Sequence, residues 1–210
     1  MENWHGLKFE KPLTRVKETV ELIQSMLRGE KSDYQGDTVS SRGYRQLPLP
    51  AGAQPVYMAA LRSKMLEAAA EFSDGVILNL FPRQALPRMM THIQAGAERA
   101  GKSLSEVEVV CRHQVIVTDD KEGARNMIRA AFAPYYATPV YNAFLAWSGY
   151  EEVAERIRNE SRRMPGSNQS LCRRRDYDPY YFLCFRQGCS GDLPSVYRQP
   201  VQVLGECYED

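Results

Sequence analysis

Residues 55–80 read PVYMAALRSKMLEAAAEFSDGVILNL, and this stretch decides the fold. Residues 56–60 form a short apolar run with β-branched and aromatic character. Met65, Leu66, Ala69 and Phe72 then recur at helical spacing within residues 62–72. Asp74-Gly75 is a turn signal, and residues 76–80 form a second apolar run. Strand, helix and strand follow one another with almost no linker, which predicts a βαβ unit of parallel strands with a right-handed crossover. In parallel α/β folds the ligand lies beyond the carboxyl ends of the strands. Residues 60–64 and 79–82 are therefore the positions to watch.

Upstream, residues 12–28 predict a helix. Pro12 suits its first turn and Gly29 its end. Leu13, Val16, Val20, Ile23 and Leu27 form its apolar stripe with Met26 beside it, and Arg15, Lys17, Glu18 and Glu21 are expected to face outward. Residues 33–54 are polar and rich in Gly and Pro; short strands at 38–39 and 44–47 predict a hairpin, an excursion from the main architecture. Downstream, residues 84–100 predict a helix burying Leu86, Met89, Met90, Ile93 and Ala97, ended by Gly101. Residues 103–106 carry the polar-first, acidic-fourth pattern of a capped turn. Residues 107–117 predict a third strand, polar at Arg112, His113 and Gln114. Thr118 is expected to cap a helix starting at residue 119 or 120 and running to about residue 132, with Pro134 and Pro139 breaking it. Shorter helices are expected at 140–146 and 151–159. The alternation implies a parallel α/β architecture with three long strands, where a closed barrel needs eight.

The 210 residues allow one large domain or two small ones, and the composition is that of a globular protein, 43% apolar and 25% charged. A net charge of +1 offers no field that calls for nucleic acid or an anionic membrane. No apolar run is long enough to span a bilayer and the first residues lack the core of a signal peptide, so a cytoplasmic protein is expected. Five cysteines form no C-x-x-C pair and have no H-x-x-x-H partner, so neither a metal site nor a disulfide is expected. Beyond residue 159 the composition changes: residues 160–210 contain no Ala, Lys, Thr or Ile, and neither helical period nor strand alternation persists. The expected organisation is a body at 1–159 and an irregular tail at 160–210, read from another frame or not shaped by the fold before it. Seven Arg in that tail are matched by seven acidic residues, which leaves no positive field for RNA.

Four segments carry a family resemblance: WHGLKFEKPLTRVKETVELIQSMLRGE at 4–30, DYQGDTVSSRGYR at 33–45, PVYMAALRSKMLEAAAEFSDGVILN at 55–79, and VTDDKEGAR at 117–125. In order and spacing they resemble the C-terminal half of the luciferase-like monooxygenase family, most closely its coenzyme F420-dependent oxidoreductase branch. The resemblance implies an α/β fold that is a partial TIM (β/α)8 barrel, with about three parallel strands and flanking helices plus the irregular tail. It implies a flavin or deazaflavin at the carboxyl ends of the strands, with F420 first and FMN second. The family's first four strands would precede Met1, so a fragment is expected.

Ala59, Ala60, Leu61, Arg62, Ser63 and Lys64 run from a strand end straight into a helix. That arrangement aims free backbone N–H groups at one point, where an anion is favoured. Arg62 offers a fork to phosphate and Lys64 a point charge. The resemblance places part of the cofactor here, although Ser63 stands where the family has Pro and no Gly is present. The plain alternative is that Ser63 or a neighbour only caps the helix and the two cations are solvated. Asn79 ends the next strand and either points into the barrel mouth or bonds the turn backbone. His113 is the one side chain offered for proton donation or cofactor contact, against the structural role a lone His usually has. Asp74-Gly75 is read as a turn, and Trp4 and His5 as substrate-side residues of an intact barrel. No nucleophile triad, H-E-x-x-H, P-loop or G-x-G-x-x-G occurs. The expected function is hydride transfer with a small organic substrate. An FMN-dependent monooxygenase and a catalytically incompetent truncated remnant are the alternatives, and a homo-oligomer is left open.

Overall fold

The computed structural model describes residues 6, 8, 10–47, 52–113 and 116–163. Its elements run α1 (Pro12–Leu27), β1 (Asp33–Gln35), β2 (Ser40–Arg42), β3 (Tyr57–Ala59), α2 (Ser63–Phe72), β4 (Gly75–Leu78), α3 (Leu86–Arg99), β5 (Glu108–Cys111), α4 (Lys121–Ala137), α5 (Pro139–Trp147) and α6 (Glu151–Arg163), with single 3₁₀ turns at Arg83–Ala85 and Leu104–Glu106. The chain divides into two units, Met1–Val109 and Val110–Asp210.

In the first unit β3 and β4 pair in parallel, Tyr57 opposite Gly75, Met58 opposite Val76 and Ala59 opposite Ile77. The predicted βαβ unit is therefore present, and the strand order is β3-β4-β5. Period-two alternation buries Met58, Val76 and Leu78, and Leu66, Ala69 and Ala70 of α2 and Met89, Ile93 and Ala97 of α3 are buried with them. Helices α2 and α3 approach closely because Gly96 has no side chain: a Cβ there would lie 2.1 Å from the Glu67 carbonyl oxygen. Outside this contact Glu67 accepts from Arg99 and faces His92 Nδ1 at 2.7 Å. The 3₁₀ turn Leu104–Glu106 carries the predicted capping box between Ser103 and Glu106.

Four expectations are corrected here. The α1 stripe is only partly buried: Leu13 is 37% and Ile23 39% exposed, while Val20, Leu22 and Glu18 are buried. The hairpin pairs Asp33–Gln35 with Ser40–Arg42 in antiparallel register rather than 38–39 with 44–47. Residues 36–39 form its turn because the N–H groups of Asp37, Thr38 and Val39 are taken by Glu18 instead of a neighbouring strand. The third strand stops at Cys111, short of Arg112 and His113. Finally, α4 continues through Pro134 to Ala137. Pro134 removes one donor from the helix, but Ala133 and Tyr136 on either side of it are buried, and that packing outweighs one lost bond.

In the second unit α4, α5 and α6 surround a core of Tyr136, Leu145, Ala154 and Ile157. Asp120 caps α4 by accepting the Gly123 N–H at 2.9 Å. Asn142, fully inside, donates to the carbonyls of Tyr136 and Ala154 and accepts from Arg158. α6 runs on past residue 159, and residues 164–210, most of the expected irregular tail, lie outside the described residues. No helix among the described residues is long and apolar enough to cross a membrane.

Candidate functional site at the carboxyl ends of β3 and β4

The last bond of the β3–β4 ladder runs from the Ala60 N–H to the Ile77 carbonyl at 3.2 Å. The chain then turns directly into α2. Arg62 is the N-cap residue, extended at φ −127° and ψ 166°, and no side chain caps the helix. Its carbonyl accepts the N–H groups of Met65 and Leu66 at 3.0 and 2.9 Å. Among the described residues no protein group accepts the N–H of Leu61, Arg62, Ser63 or Lys64. Four backbone donors thus lie where the partial positive end of α2 begins. The capping role weighed for Ser63 is not what the structure shows. Nor does the turn use positive φ, so the lack of glycine is no obstacle to it. Ala59 lies exposed at this end, Ala60 is buried beneath it, and the side chains of Arg62 and Lys64 are exposed.

One strand over, Asn79 follows Leu78. Its Oδ1 is buried and has no hydrogen-bond partner. The next residue, Leu80, sits in the left-handed region at φ 52° and is 3% exposed. A branched residue held there stores backbone strain. Sequence reading misses it, because Leu-Phe-Pro contains neither the Gly nor the Asn that announces such a turn and the apolar run simply reads on as strand.

His113 lies in the second unit, past the end of β5. It is exposed, and partial desolvation of the ring holds its imidazole below the ordinary value. Trp4 and His5 lie outside the described residues. Asp74-Gly75 is more than a turn. The Asp74 carboxylate accepts the Val56 N–H at 2.7 Å, and its own N–H donates to the Val56 carbonyl at 2.9 Å. Gly75 opens β4 beneath the Tyr57 ring: a Cβ there would lie 2.1 Å from Tyr57 Cδ1. Over that gap the Tyr57 hydroxyl donates to Glu108 on β5, and this bond, ahead of desolvation, raises the Tyr57 pKa. All of this sits at the amino ends of the strands, away from the candidate site.

Glu18 is the residue whose environment sequence reading missed most completely. Expected on the outer face of α1, it is 8% exposed and accepts from the Asp37, Thr38 and Val39 N–H groups and the Thr38 hydroxyl, at 2.5–3.0 Å. The Thr38 hydroxyl foremost, with the three N–H groups, lowers its pKa from 4.5 to about 2 against the opposing effect of burial. Among the described residues no cluster of His, Cys, Asp and Glu could hold a metal ion.

The profile of the luciferase-like monooxygenase family matches residues 1–174, and the chain belongs to that family. Over 128 residues it is 34% identical to the 5,10-methylenetetrahydromethanopterin reductase of Archaeoglobus fulgidus, an overlap of 61% of this chain and 38% of the relative. Over 134 residues it is 26% identical to an F420-dependent glucose-6-phosphate dehydrogenase of Mycolicibacterium fortuitum, covering 63% and 40%. Among solved structures, the coenzyme F420-dependent tetrahydromethanopterin reductase of Methanopyrus kandleri superposes with a TM-score of 0.62 at 23% identity, over 77% of this chain and 46% of that one. The fold is thus part of a (β/α)8 barrel, and the chain spans less than half the length of each of these relatives.

Proposed function

We propose that this chain is part of an F420-dependent oxidoreductase acting on a small organic substrate. The observation that carries the proposal is the turn from β3 into α2, with four N–H groups free of protein acceptors and two exposed cations. Two relatives named for F420, one by sequence and one by fold, support the choice of cofactor. The residues fit the phosphate end of such a group. Leu61, Arg62, Ser63 and Lys64 offer backbone donors, Arg62 and Lys64 offer charge, and Ala59 and Ala60 let a ligand approach the main chain. Coenzyme F420, when bound, supplies hydride chemistry at its C5 position. The part left to these residues is to bind and orient it. His113 has no role in this reading.

The test is a titration of the full chain with F420, followed by fluorescence quenching. Arg62→Ala and Lys64→Ala are each expected to weaken binding about tenfold, the loss of a charge-assisted contact. Unchanged affinity in both variants would sink the turn as the binding site. FMN shares the phosphorylated ribityl chain, so FMN binding without F420 binding would favour the monooxygenase reading.

A further inference from the structure

Residues 130–150, AAFAPYYATPVYNAFLAWSGY, hold no Asp, Glu, Lys, Arg or His, although 25% of the whole chain is charged. The stretch covers the second half of α4, all of α5 and the turn into α6. Part of it is the core of the second unit, and part is surface. On α4, Met127 is 57% and Tyr135 49% exposed, Ala130, Ala131 and Pro134 are exposed with them, and Val140 on α5 is 52% exposed. Met127, Ala131 and Tyr135 recur four apart, so they form one row along the helix. The Tyr135 ring does not swing freely: it packs against Phe132, centroids 6.0 Å apart, and edge-on against Tyr141 at 5.9 Å. Depletion of charge around a fixed aromatic is the composition of the centre of a protein interface, not of open surface.

The row also selects its partner. It reads large, small, large, and its spacing is symmetric about Ala131. When a second α4 crosses it antiparallel about a twofold axis at Ala131, Met127 of each copy meets the partner's Tyr135. The two Ala131 side chains, single methyl groups, let the helices close. A thioether against an aromatic ring is a favourable contact in itself. No charge lies on the row, so this pairing sets no like charges opposite each other, and a net charge of +1 leaves little repulsion between copies. A charged partner would find nothing on the row to pair with. We propose that this face of α4 is a self-complementary interface through which two copies of the chain associate, with Tyr135 as its anchor. The interface belongs to the second unit alone and does not depend on the cofactor reading.

The experiment is sedimentation velocity of the full chain over about a hundredfold range of concentration, so that mass action moves the equilibrium. The wild type should pass from monomer to dimer as concentration rises. Ala131→Glu sets two carboxylates against each other at the axis, and Tyr135→Ala removes the anchor; each should weaken the dimer about tenfold or more. Ala131→Cys should form a disulfide-linked dimer under mild oxidation, because that residue faces itself across the axis. Glu155→Cys, exposed on α6, should stay at the background set by the five native cysteines. A wild type that remains monomeric throughout overturns the interface. So does a dimer that survives Ala131→Glu unchanged, since the contact would then lie elsewhere. Growth beyond the dimer overturns it as well, because a twofold face closes on itself. Should Ala131→Glu fail to fold, the cysteine variants decide: cross-linking at position 131 no greater than at position 155 overturns the twofold pairing.

Discussion

Glu18 shows how a single carboxylate ties two parts of a chain. Four donors, three of them from consecutive backbone N–H groups, converge on it from the hairpin turn at 36–39. Its pKa falls from 4.5 to about 2, so the sign is that of a depressed acid. The contribution is fully present above pH 4.5 and is lost as pH falls toward 2. In acid-unfolding curves Glu18→Gln should therefore be less stable than wild type at neutral pH, and the gap should close across that window. Thr38→Val removes the largest cause of the shift and should move the acid limb to higher pH. An unchanged limb in both variants would count against the arrangement. Gly75 makes a steric case at the same scale. Gly75→Ala places a methyl group 2.1 Å from Tyr57 Cδ1 and 2.8 Å from the Glu108 carbonyl oxygen. It should cost about 1–3 kcal/mol in a denaturant titration, the usual penalty for overpacking. Neither residue announces itself in the sequence. Glu18 lies among charged neighbours on what reads as an outer face, and Gly75 follows Asp as an ordinary turn glycine does. What defines each is a group many positions away.

Among the elements, legibility tracks how one-sided the burial is. α3 was readable because Leu86, Met89, Ile93 and Ala97 fall on one stripe and are all buried. β3, α2 and β4 were readable because apolar runs at two periods meet without a linker. The failures come where a local signal is overruled from afar. β5 ends at Cys111 although the β-rich pattern runs on, and α4 ignores Pro134 because Tyr136 beyond it is 2% exposed. The candidate turn at 59–64 was legible from its spacing and its cations. The strained Leu80 and the unmatched Asn79 were not, since they are properties of coordinates rather than of composition. Two outcomes belong here. Asp120→Ala removes the only side-chain cap of α4 among the described residues and should cost about 1 kcal/mol by chemical denaturation. Leu66→Ala empties a fully buried position between α2 and the sheet and should cost about 2–5 kcal/mol.

For the whole molecule, charge offers a simple expectation. With a net charge of +1 and a pI near 7.6, the protein should be least soluble between about pH 7 and 8 and should gain solubility on either side, as light scattering at fixed concentration would show. The bond from Tyr57 across Gly75 to Glu108 has a consequence of another kind, in time rather than in space. Its partners are 51 positions apart in sequence, so closing it requires β3, α2, β4 and α3 to be laid down first. The expectation is that it forms after the rate-limiting barrier has been crossed. Tyr57→Phe should therefore speed unfolding while leaving the folding rate nearly as it was, so the two arms of a chevron plot would shift unequally. The crossbeam then acts as a latch on the finished sheet, setting how long the molecule stays folded rather than how fast it gets there.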